Sequence, residues 1–203
     1  MNTIIFSIIY FVGVIILSHF FVPSEYVWTQ NTVSDLAAQG LPNQWIMRAG
    51  FIGFGLLLNL GFVLKFIAAR KVIYSDIPIM IYGLAVLVTG FFSTRPFIAG
   101  VDYSAQESDL HSLFAQIAGV FFIIGILYRL VIAPTPEEKW FHAIFLLLVM
   151  GTSLAFGLSE NGSIPLGKGL IQKTMYLVSF IWLLFGQWKP AQGTIEKVVS
   201  TQA

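Results

Sequence analysis

Six runs of apolar residues, at 3–22, 45–68, 77–94, 110–132, 140–158 and 169–187, alternate with polar connections along the chain. A bilayer core about 30 Å thick takes roughly 20 helical residues to cross, so each run is a candidate crossing. No alternating strand pattern competes with them. Backbone in lipid must satisfy its own hydrogen bonds, which favours helices. The pattern therefore predicts an all-α, polytopic membrane bundle of six transmembrane helices spanning 1–188, followed by a polar cytoplasmic tail at 189–203. The first run lacks a basic leading segment and a small-x-small cleavage site, so it is read as a retained helix rather than a secretory signal.

Composition strengthens this picture. Of 203 residues, 57% are hydrophobic and only 10% are charged, too apolar for an ordinary water-soluble domain. Cysteine is absent, which removes disulfides and thiolate chemistry. The charge pattern offers nothing to nucleic acid.

Lysine and arginine placement sets the expected orientation. Lys65, Arg70, Lys71, Arg129, Lys139, Lys189 and Lys197 fall on one side, and Arg48, Arg95, Lys168 and Lys173 on the other. The richer side is predicted to be cytoplasmic, with both termini inside and the connections 23–44, 95–109 and 159–168 outside. Trp28 and Trp45 at the outer ends, with Trp140 and Trp188 at the inner ends, fit interfacial belts. The inner connections, 69–76 and 133–139, read as helix stops and solvated turns, with Pro134 and Pro136 among the breakers. Gly50, Gly53, Gly55 and Gly61 in the second run, and Gly151 with Ala155 in the fifth, are small residues suited to close helix approach.

Candidate chemistry gathers in the outer connections. In the first, Ser34 or Thr32 is positioned to cap a short turn containing Asp35, and Gly40 to close it. Arg48 opens the second helix, where the positive dipole end disfavours a cation, so an anionic partner is expected: Asp35 or a lipid phosphate. In the second connection Glu107 and His111 share a helix face, while Asp109 points elsewhere. The third places Glu160, Lys168, Gln172 and Lys173 about the start of the sixth helix, and His19 ends the first helix nearby. The outer side carries six acidic and four basic residues. His19, Asp35, Asp109 and His111 form a possible divalent-metal set. Conversely, three helix N-termini with Arg48, Arg95, Gln172, Lys173 and Glu160 could hold an anionic amphiphile such as a membrane-lipid headgroup. As an enzyme, the same region would be a lipid hydrolase or transferase, metal-assisted or not, using His111, Asp109, Asp35 and Ser34. Walker, HExxH, GxSxG and dinucleotide motifs are absent. Helix interiors nearly free of charge weigh against transport. Acidic outer loops would suit a protein partner, although neither that partner nor an oligomeric state is legible.

The SDLAAQG turn, the spacing W-x-M-x-x-x-F-x-x-x-G from Trp45 to Gly55, GFF with a later LHSLFA, and GLIQK opening the last helix resemble the bacterial membrane family called domain of unknown function 998. The resemblance spans nearly the whole chain. It implies a six-helix bundle, a location in the bacterial plasma (inner) membrane, and characteristic positions at Ser34, Asp35, Gly90, His111 and Gly169. Lys173 stands where an arginine is expected, keeping the charge without the bidentate fork.

Overall fold

The computed structural model describes residues 2–186, so the polar tail at 189–203 and Trp188 lie outside the described residues. All regular structure within them is helical. The six α-helices are α1 (Asn2–His19), α2 (Gln44–Ala69), α3 (Ile77–Thr89), α4 (Ala105–Ile132), α5 (Pro136–Glu160) and α6 (Lys168–Gly186). Short 3-10 turns at Ser34–Ala37 and Tyr74–Asp76 interrupt two of the connections. By length and composition α2, α4, α5 and α6 can cross a membrane, whereas α1 and α3 are apolar but shorter.

Each helix packs against its sequence neighbour, and α6 returns to α1. The core sits about α2. Met47, Phe51, Phe54, Leu58 and Phe62 recur at three- and four-residue steps and are all buried, as one helical face must be. The remaining faces are also apolar. Leu56, Leu60, Leu64 and Ile67 are exposed, which suits a helix with protein on one side and lipid on the other.

Close approach between α2 and α3 depends on small residues. A side chain at Gly55 would strike the Gly83 carbonyl and Leu87, and one at Gly83 would strike Asn59. The small pair expected to pack on α5 behaves differently, because nothing lies within 4 Å of a side-chain carbon built at Gly151.

Two helix starts fall earlier than the apolar runs predict. Ser104 caps α4 by accepting from the Glu107 amide at 3.2 Å, and Thr135 caps α5 by accepting from Glu138 at 3.3 Å. Pro136 occupies the first turn of α5, where its missing amide costs nothing. It starts a helix rather than stopping one. The reading of 69–76 as a solvated turn is likewise corrected. Asp76 is fully buried at the start of α3, paired with Lys65 of α2 at 2.7 Å and with Arg129 of α4. One carboxylate there ties three helices together at the end remote from the long connections.

Candidate functional site

At the opposite end, residues 20–43 fold over the bundle. Thr32 and Asp35 cap each other: Thr32 Oγ1 accepts from the Asp35 amide at 3.0 Å, and Asp35 Oδ2 accepts from the Thr32 amide at 2.7 Å. Asn31 Nδ2 donates to the same carboxylate at 3.3 Å. This reciprocal box satisfies the first amides of the turn, so Thr32 has the capping role that the sequence left open between it and Ser34. Gly40 then takes a φ of +82°, the left-handed conformation that glycine adopts without strain.

The start of α6 is filled by this loop. Its free amides at Gly169 and Leu170 donate to the carbonyls of Gln30 at 3.2 Å and Thr29 at 2.9 Å, so the chain itself occupies the dipole end. Gly169 must be glycine for this contact, since a side chain would collide with the Asn31 and Trp28 carbonyls. Gln172, one turn on, accepts from the Val33 amide at 2.6 Å. Lys173 donates to the carbonyls of Asn31 and Trp28 at 2.7 and 2.8 Å, and its ammonium lies 4.9 Å from the Trp28 ring centre. It also reaches Tyr26 Oη at 3.4 Å. The Tyr26 hydroxyl lies 3.3 Å from both the Thr32 carbonyl and His19 Nε2, while His19 Nδ1–H donates to the Ile15 carbonyl. Burial, and secondarily the Asp35 carboxylate, push the Tyr26 phenol well above its ordinary pKa.

A second group fastens the connection 90–104. Arg48 donates through Nε to the Gly90 carbonyl at 3.1 Å and through Nη2 to Phe91 at 2.7 Å. Its partner within the protein is therefore the carbonyl end of α3 and not Asp35; those carbonyls carry the negative end of the α3 dipole. Glu107 accepts from the Ser93 amide at 2.8 Å, and His111 Nδ1–H donates to the Phe92 carbonyl at 2.9 Å. Gln39 joins the two connections by accepting from Ser104 N at 2.8 Å and donating to the carbonyls of Ser104 and Ser93.

The sequence-predicted residues thus divide into three sets. His19, Asp35, Gln172 and Lys173 share one network, Arg48 and His111 help hold the other, and Arg95, Asp109 and Glu160 are exposed. No three His, Asp or Glu side chains among the described residues are grouped to hold a metal ion. The candidate catalytic residues Ser34, Asp35, Asp109 and His111 make no hydrogen bond to one another: Asp35 is held by Asn31 and Thr32, His111 Nδ1–H by Phe92, and His111 Nε2 is buried without a partner. Tyr26 and Gln39 were missed. Their only sequence signal was position in the polar connections: Gln39 meets backbone atoms of Ser93 and Ser104, and Tyr26 meets the Lys173 side chain from the sixth helix.

Ser34 has another place. Together with Gln172 it borders the loop end of a cavity of about 100 Å³ enclosed by α2 to α6. Apolar residues form most of its wall, including Phe51, Val86 and Phe122. On α4 the wall includes the small residues Ala115 and Gly119, both exposed, and a side-chain carbon at Gly119 would meet nothing within 4 Å.

These features define an all-helical membrane bundle with hydrogen-bonded polar connections over one end and a buried ion cluster at the other. The family described as Protein of unknown function (DUF998) matches residues 4–188, and the chain belongs to that family. Comparison with curated proteins and with solved structures gives no match.

Proposed function

We propose that this is a multi-pass protein of the bacterial plasma membrane that binds a membrane amphiphile, with the 20–43 connection on the extracytoplasmic side. The polar end of the amphiphile enters the cavity under the Ser34–Ala37 turn, and its chains pass by Ala115 and Gly119 into the bilayer. The observation that carries this reading is the cavity itself, bordered by polar groups at its loop end and by small residues where α4 faces lipid. Room of about 100 Å³ accepts a few heavy atoms but not a whole lipid, so most of the ligand stays outside.

Arg48 and Lys173 do not favour an anion over other amphiphiles, because both already hold backbone carbonyls. An amphiphile is what the cavity fits; a negative headgroup is not required.

Gly119→Trp tests the reading. A side-chain carbon at this position meets no neighbour, so a bulky residue can be introduced beside the cavity there. Native mass spectrometry of the full chain purified in mild detergent from the same host should show most of the retained lipid lost in Gly119→Trp. Equal lipid on both proteins, with unchanged helicity, would overturn the proposal.

A further inference from the structure

One buried nitrogen beside the cavity has no partner. His111 is only 3% exposed, and its Nε2 makes no hydrogen bond. Nδ1 lies 2.9 Å from the Phe92 carbonyl, which can only accept, so the ring proton sits on Nδ1 and Nε2 of the neutral imidazole presents a lone pair. The groups around it cannot serve that lone pair. A second carbonyl, that of Thr89, also approaches the imidazole and likewise has no proton to give. The Thr89 hydroxyl spends its own on the Ala85 carbonyl at 2.9 Å. A buried acceptor left unmatched costs a fold more than it contributes, so this nitrogen points to a donor from outside the chain.

The helical repeat sets this nitrogen at the loop end of the cavity. Ala115 and Ala118, which line the cavity, follow His111 by four and seven residues and so share its face of α4. Phe51, another lining residue, packs on the imidazole with ring centres 5.9 Å apart. Nδ1 is held by the 90–104 connection, so the opposite edge of the ring, which carries Nε2, is turned into the bundle. A lone pair there selects a donor. The cavity lining contains no charged side chain, so an ammonium or a phosphate would be buried without a counter-charge. A hydroxyl is neutral, brings the proton that Nε2 lacks, and fits a space of about 100 Å³.

We infer that the polar end of the bound amphiphile is the hydroxyl of an uncharged lipid alcohol, and that it donates its hydrogen bond to His111 Nε2. This rests on the amphiphile-binding reading above and narrows it to one class of ligand. Two membrane sources present that group: the free hydroxyl of a diacylglycerol and the terminal hydroxyl of a polyprenol.

Photoreactive probes in nanodiscs of phosphatidylcholine separate the possibilities: a diazirine-tagged diacylglycerol, a diazirine-tagged polyprenol, the methyl ether of each, and phosphatidic acid with the same tagged chains as the diacylglycerol. The full-length wild type should bind one or both alcohols about fivefold more tightly than the matching ether, the worth of one ordinary hydrogen bond, and a preference shown for only one alcohol identifies the source. His111→Asn keeps a side-chain N–H for the Phe92 carbonyl and has no counterpart of Nε2, so in it alcohol and ether should bind alike. His111→Phe keeps the ring volume and should do the same, which covers the case in which one of the two variants does not fold. Alcohols and ethers that bind the wild type equally would overturn the inference, since Nε2 would then serve only water. A preference for the alcohol that survives in the His111 variants would overturn it too. Phosphatidic acid that labels as strongly as the alcohols, and is displaced by Gly119→Trp, would overturn the neutral-alcohol site while leaving amphiphile binding intact. If no probe responds to Gly119→Trp, both this inference and the broader reading fall.

Discussion

At Lys173 a single ammonium group holds the carbonyls of Trp28 and Asn31 and contacts the Tyr26 hydroxyl and the Gly169 carbonyl. Lys173 adds side-chain bonds to those that the α6 amides make to the same segment, reaching two carbonyls that those amides do not. Lys173→Met keeps the aliphatic stem and removes the donors. Bonds to a charged group are worth about 1.5–3 kcal/mol, so this variant should unfold at a clearly lower temperature and expose the 26–31 segment to protease. Arg95→Met, at an exposed side chain, should stay within about 0.5 kcal/mol of the wild type. Equal melting of the two variants would remove the strap role from Lys173. Sequence placed Lys173, Arg48 and Asp35 at the correct end of the bundle, because their charge and position are visible there. Their partners were not visible, since those are largely main-chain amides and carbonyls whose positions exist only after the connections have folded.

Elements show the same division between what apolar runs reveal and what they hide. The six helices follow from the runs, yet α4 and α5 begin at Ala105 and Pro136, ahead of the predicted 110 and 140. Their first turns contain Glu107, Glu137 and Glu138, which lower local hydropathy while suiting a helix N-terminus. Hydropathy trimmed those turns; the Ser104 and Thr135 caps mark them. Asp76 escaped notice for the opposite reason, since a lone acid in a short connection looks solvated until Lys65 and Arg129 close on it from other helices. Glycines behave unequally as well. Gly55 lies where α3 backbone crosses α2, so Gly55→Val should disrupt that contact and lower the thermal midpoint in detergent. Gly151→Ala fills open space and should be neutral, or more stable by up to about 1 kcal/mol from helix propensity. If the two substitutions have equal effects, close approach at Gly55 is not what holds α2 to α3.

At the scale of the whole molecule, the two ends use charge differently. One buries a carboxylate between cations from neighbouring helices, and the other uses cations to fasten connections that fold over the bundle. In the assigned orientation the buried pair lies on the cytoplasmic side with most of the lysines and arginines, and the fastened connections lie outside. Because the natural sequence has no cysteine, single substitutions report the orientation without further engineering. Glu25 and Lys71 are exposed and sit in connections at opposite ends. A membrane-impermeant maleimide added to intact cells should modify Glu25→Cys and spare Lys71→Cys, which should react only after the membrane is permeabilised. The reverse pattern would invert the topology and place the mouth of the cavity's polar end in the cytoplasmic leaflet. The proposed amphiphile would then have to be drawn from that leaflet.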